Sequence, residues 1–289
     1  MSIDINHLCQ WTGRSEKRLD TATAAELAGL SATLDHDDPY PDTGAPVPPA
    51  GHWLYFLSRT RQSNIGLDGH GYRGEFLPPV ELPRRMWAGG RIEFFDALRV
   101  GDAIKRISTI KDVSHRQGKT GDLVFVIVQH EIFGPNGLSV REDHDIVYRA
   151  EADLGAPQPD PKPAPDGAQW VRHINPDPVM LFRYSALTFN GHRIHYDLKY
   201  ATEQEGYPGL IVHGPLMATL LLDMAARENP DRMLRKFSYR AVSPVFDTGT
   251  FTVNGKPDDA DGEGGSAELW VAKEDGSLAM KADAEFGDG

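Results

Sequence analysis

A chain of 289 residues with a formal net charge of −12 argues against a general nucleic-acid surface, and no apolar run approaches the roughly 20 residues of a membrane span. Its one cysteine, Cys9, excludes an intrachain disulfide and fits a reducing compartment. The first residues carry neither a basic-then-apolar leader nor an arginine-rich stretch, so a cytoplasmic location is expected.

Taken in order, residues 14–34 read as a helix with Thr21 or Thr23 as cap and a stripe of Ala24, Leu27, Ala28, Leu30 and Leu34. A loop rich in Pro and Asp covers 35–49, and His52 to Leu57 is aromatic and strand-like. Arg59 to Pro79 forms a long Gly-rich loop, and loops of that length in a compact domain tend to carry function. Four strands follow, at Gly90–Asp96, Ala103–Val113, Asp122–Phe133 and Leu138–Tyr148. Short turns separate them, which predicts an antiparallel sheet with the third, most apolar strand inside it. Residues 150–167 are Pro-rich and read as a stiff linker.

Beyond the linker, Leu181 to Phe189 reads as a buried strand that ends abruptly in a polar knot holding Asn190, His192, His195 and Asp197. Asp197 is placed to cap a short helical segment, and His213-Gly214-Pro215 opens a longer helix running to about Arg227. Strands at Lys236–Ser243, Thr248–Val253, Ala267–Ala272 and Leu278–Phe286 close the chain, the last two joined by a turn over Lys273 to Ser277. The two halves thus share an outline: an opening strand, an interruption, then an antiparallel run. Only the second half shows a long apolar helix after its opening strand. Domain limits of 1–150, 151–168 for the linker and 169–289 follow.

The knot and the helix start bring together two kinds of equipment. His195, with an ordinary pKa of about 6.5, is suited to proton transfer in either direction. The first N–H groups of the helix, at Gly214 and beside it, lack intrahelical partners and sit at its positive end, ready for a developing oxyanion. His213 either belongs to that site or braces the helix start. His192 reads as a supporting residue and Asp197 as a cap. Three histidines also raise the question of a metal. The spacing of His192, His195 and His213 falls before the helix and lacks a cysteine or a paired carboxylate, so no metal site is expected.

The pattern Tyr184-x-x-Leu187-Thr188-x-Asn190-x-His192-x-Ile194-His195, followed by His213-Gly214, resembles the signature of MaoC-like, R-specific enoyl-CoA hydratases. The whole chain, residues 78–94 included, resembles the double hot-dog subgroup of that family. This subgroup holds type 2 3-hydroxyacyl-thioester dehydratases and the hydratases of itaconyl-CoA and mesaconyl-C4-CoA. The resemblance implies an α+β double hot-dog, antiparallel sheets wrapping a central helix at Pro215–Arg227, with a degenerate first half and a catalytic second half. It also implies reversible addition of water to an enoyl-CoA thioester, with coenzyme A as part of the substrate, no further cofactor and a homo-oligomer, commonly a dimer. Two positions depart from the family pattern. Asn190 stands where the family has a catalytic Asp, and His192-Arg193 stands where it has Asn-Pro. An amide cannot take a proton at neutral pH, so Asn190 is expected to orient water and His195 to do the proton work. Arg84, Arg85, Arg91 and Arg193 are candidates for holding CoA phosphates or a substrate carboxylate. Arg240, inside an apolar strand, reads as a buried cation that needs a partner. A hot-dog thioesterase and a non-catalytic thioester binder are the competing classes.

Overall fold

The computed structural model describes residues 3–118, 121–150, 160–258 and 265–288. A short helix α1 (Ile5–Leu8) precedes strand β1 (Ser15–Thr21) and helix α2 (Ala24–Thr33). Strands β2 (Arg84–Phe94), β3 (Ala103–Gly118), β4 (Gly121–Gly134) and β5 (Gly137–Arg149) complete the first half. The second half holds β6 (Trp170–Ile174), α3 (Pro178–Leu187), α4 (Gly214–Glu228), β7 (Arg232–Ala241), β8 (Phe251–Asp258), β9 (Ser266–Lys273) and β10 (Leu278–Asp288).

All ten strands join one antiparallel sheet in the order β1-β3-β4-β5-β2-β7-β10-β9-β8-β6. The order reads as one five-strand pattern and its mirror image, meeting where β2 pairs with β7. The expected repeat of architecture is therefore present strand for strand, and β4 lies inside the sheet as its apolar run predicts. At the seam the backbones come close. A Cβ on Gly90 would sit 2.3 Å from the Tyr239 hydroxyl, and one on Gly89 would sit 2.4 Å from the Tyr239 carbonyl, so the approach requires both glycines.

Helix α4 is wrapped by the second half of the sheet, with contacts to β7, β8, β9 and β10. Leu216, Met217, Leu220, Leu221, Leu222 and Met224 are all buried; a helix apolar around nearly its whole circumference has to be interior. Among the described residues the first half has no such helix. In the same place in the element order it has two short 3-10 turns, Gly51–Leu54 and Gln62–Asn64, and a long loop into β2.

Three readings of local structure are corrected. Leu181 to Phe189 is not a strand but most of α3, capped by Asp177, whose Oδ1 accepts from the Met180 N–H at 2.7 Å, with Pro178 in the first turn. Its buried residues, Leu181, Tyr184 and Ser185, fall at helical spacing, while Phe182 and Phe189 are exposed. Residues 14–34 are not one helix. Ser15–Thr21 alternates exposed and half-buried as an edge strand on β3, and only Ala24–Thr33 is helical, with Thr23 at the N-cap position. His52 to Leu57 is not a strand either, because the 3-10 turn takes its first residues. Residues 151–159 of the expected linker lie outside the described residues.

Candidate functional site

The turn between α3 and α4 is folded by its own polar side chains. Phe189 takes a left-handed φ of 49°, and Asn190 Oδ1 accepts from the His192 N–H at 3.0 Å. Asp197 Oδ1 accepts from the Tyr200 N–H at 3.0 Å, the capping role expected of it. The π-helical turn Tyr200–Gln204 follows, and the chain then enters α4 with His213 at the N-cap position and Pro215 in the first turn.

This turn stacks its histidines against one another. His195 and His213 lie face to face, ring centroids 3.7 Å apart and planes 18° from parallel. His192 meets His195 edge-on at 5.4 Å. The two stacked rings are fixed from behind. The Nδ1–H of His195 donates to the Ile211 carbonyl at 2.8 Å, which leaves Nε2 unprotonated. His213 Nε2 bonds the Ser185 hydroxyl at 2.8 Å, tying α3 to the start of α4, while its buried Nδ1 has no partner. Burial is the main reason these rings stay neutral. It brings His195 down to about 4 and His192 to about 2, and it holds His213 well below the usual range.

A second set of groups reaches the same place from the first half of the chain. The loop before β2 crosses the turn so closely that a Cβ on Gly69, whose φ is +90°, would lie 1.8 Å from the Gly191 carbonyl oxygen. The Asp68 carbonyl accepts from the Arg193 N–H at 2.9 Å. Here Asp68 Oδ2 and His70 Nδ1 bond at 3.0 Å, and the His70 ring lies 4.2 Å from that of His192. The rings of His70, His192, His195 and His213 thus form one continuous row. Beside His70 is a cavity of about 340 Å³, lined also by Asp68, Tyr72, Arg73 and Arg85. Neither Asp68 nor His70 stands out by residue type. The signal that points to them in the sequence is the length of the loop that carries them.

Donor atoms of Asp68, His70 and His192 all lie within 4.8 Å of one another. A cation there would compete with the Asp68–His70 hydrogen bond.

The arginines divide into two groups. Arg91 and Arg240 alternate with Ile92 and Tyr239, which face the α4 core, and so point out of the other side of the sheet into a separate groove of about 580 Å³. Arg240 is exposed, which corrects its reading as a buried cation: the apolar residues around it belong to the opposite face of its strand. Arg91 makes a forked pair with Asp145 at 2.7 and 2.8 Å. On the histidine side, Arg193 is committed to Asp197 at 2.7 Å and to the Leu67 carbonyl at 3.0 Å. Arg84 is held by Glu205 at 3.3 Å and lies over the Tyr207 ring. Arg73 spends its guanidinium on the carbonyls of Val80, Leu82 and Pro83. Arg85 lines the cavity too; like Arg73 it has no carboxylate bonded to it among the described residues, but no backbone carbonyls take up its guanidinium there. Its neighbour is the Tyr148 hydroxyl.

A helix wrapped by half of a mirrored ten-strand sheet, with a histidine knot at its N-terminus, defines a double hot-dog protein. The chain belongs to the family described as Hydroxyacyl-thioester dehydratase type 2, which it matches over residues 50–247. It is 42% identical over 280 residues to a mesaconyl-C(4)-CoA hydratase of Chloroflexus aurantiacus, covering 96% of this chain and 97% of that one. Among solved structures, a MaoC-like dehydratase superposes with a TM-score of 0.74 at 12% identity, covering 96% of this chain and 98% of that one. A Mycobacterium tuberculosis protein described as a double hotdog fold gives a TM-score of 0.62 at 14% identity, covering 96% of both chains. These likenesses agree with the fold expected from the sequence.

Proposed function

We propose that this chain reversibly hydrates the enoyl-CoA thioester of a branched C5 dicarboxylic acid, of the mesaconyl-C4-CoA or itaconyl-CoA type. The observation that carries the substrate class is Arg85, a cation lining a small cavity next to the histidine row that it shares with Asp68, His70 and Arg73. The 42% identity to a mesaconyl-C(4)-CoA hydratase supports the same reading. Coenzyme A is part of the substrate, and no other cofactor is called for.

In this reading the thioester oxygen lies at the start of α4. The N–H groups of Gly214 and Leu216 take up its charge there, Pro215 between them having none. His213 holds that helix start against Ser185. His195 offers its unprotonated Nε2 and Asn190 its amide N–H, so the two together hold the attacking water. Arg84 and Arg193, already paired, brace the surrounding turns. The test is loss of the enoyl-thioester absorbance with crotonyl-CoA, itaconyl-CoA and mesaconyl-C4-CoA, run beside His195→Ala. Turnover strongly favouring the dicarboxylyl thioesters over crotonyl-CoA, and abolished in the variant, is expected. Turnover of crotonyl-CoA alone would favour the fatty-acid dehydratase that the family description allows. Release of free thiol would point to a thioesterase.

The chain is further proposed to be cytoplasmic and to form a homodimer. Phe182, Phe189 and Leu198 are large, apolar and exposed along α3 and the following turn, as a covered face would be. Among the described residues no helix is long and apolar enough to cross a membrane.

A further inference from the structure

The proposed reaction needs one group that takes a proton from water and returns it to the α-carbon, and the usual carboxylate is replaced by Asn190. We infer that this group is His70, a catalytic residue delivered by the first half of the chain and positioned by Asp68. The assignment rests on the hydratase reading above and adds to it the identity of the base.

Three observations single out His70 from the row of four rings. It is the histidine that lines the cavity, whereas His195 and His213 are buried behind it. Its Nδ1–H is held by a carboxylate at 3.0 Å, whereas His195 is held by a neutral carbonyl and His213 by a hydroxyl. An imidazolium formed at His70 is therefore compensated by a full negative charge, and one formed at His195 is not. Finally, the bond at Nδ1 leaves Nε2 with its lone pair free. The other charged or titratable groups that His70 feels are Arg85 and Arg73, which disfavour its protonation, and His192 and His195, which would compete with it for a proton. Burial also lowers its pKa, so at neutral pH the ring starts as a free base.

The step balances with no other reactant. Water oxygen bonds to the β-carbon while its proton passes to His70 Nε2. The π pair of the double bond moves toward the thioester, leaving the negative charge on the carbonyl oxygen at the start of α4. The enolate then takes the same proton from His70 Nε2 at the α-carbon, and the ring returns to neutral. Asp68 stays ionised throughout.

The experiment measures pH profiles of kcat/KM on whichever thioester the unaltered chain hydrates, for that chain and for His70→Gln, Asp68→Asn and Asp68→Glu. His70→Gln is expected to lose about 10²–10⁴-fold in kcat with KM nearly unchanged. Asp68→Asn removes the charge that favours the imidazolium, so the acid limb should move to lower pH, and Asp68→Glu should restore it in part. A merely structural pair would not move that limb. Activity of His70→Gln within about threefold of the unaltered chain, or an unmoved limb in Asp68→Asn, would overturn the assignment alone. No turnover by the unaltered chain would overturn the hydratase reading with it. Stoichiometric zinc whose removal abolishes turnover would also overturn the assignment.

Discussion

Arg85→Met keeps most of the side-chain volume while removing the guanidinium from the cavity. If Arg85 holds the free carboxylate of a dicarboxylyl thioester, the variant loses a charge-assisted hydrogen bond worth about 1.5–3 kcal/mol. At about 1.4 kcal/mol per factor of ten, kcat/KM for mesaconyl-C4-CoA should fall roughly 10- to 150-fold. A second effect has to be separated from this one. Arg85 also disfavours protonation of His70 and His192, so its removal should shift the acid limb of the pH profile upward. Crotonyl-CoA, which has no free carboxylate, reports that second effect alone. The assay is therefore the ratio of kcat/KM for the two thioesters above the acid limb, and the expected result is a ratio that collapses toward one. Equal losses on both substrates, or no loss on either, would refute a carboxylate contact at Arg85.

Gly69→Ala places a Cβ against the Gly191 carbonyl at a left-handed φ, so the loop must lift from the histidine turn. Activity should fall well beyond the stability loss of one to a few kcal/mol, measured by urea unfolding beside turnover; unchanged turnover would mean the loop is not part of the site. Leu220→Ala, at a fully buried position of α4, should cost about 2–5 kcal/mol in the same unfolding experiment, and a cost under 1 would contradict the placement of that helix. Burial holds His195 at about 4 and His130 at about 3, whereas in the unfolded chain both rings protonate near 6.5. Below 6.5 the unfolded state therefore binds more protons, and stability is full above that pH and lost as pH falls toward 4. Each ring contributes a slope of about 1.4 kcal/mol per pH unit, and an unfolding midpoint equal at pH 7.5 and 5 would refute the burial.

How far the chain alone revealed this depended on whether the relevant information was local. The eight main strands and α4 were legible because alternation, short turns and an apolar stripe are properties of a few adjacent residues. Asn190, His195 and Gly214 stood out for the same reason. The misreadings come from faces that the sequence does not label. Leu181, Phe182, Tyr184 and Leu187 fit a strand until it is known that Phe182 is exposed and Tyr184 buried. Arg240 looked interior because its neighbours on the strand are, though the pleat turns it outward. Asp68 and His70 were out of reach for a different reason. They lie some 120 residues before the knot and gain meaning only when the loop crosses it.

The edge-to-edge pairing of β2 with β7 places within one chain what two separate copies of a half would otherwise assemble. Separate copies are bound to be identical, so any change to one reaction centre is a change to both. Fusion removes that constraint. One half has kept its long helix, and the other has given up that place for a loop that closes over its neighbour. Each chain should then bind one substrate rather than two, having exchanged a second reaction centre for a wall around the first.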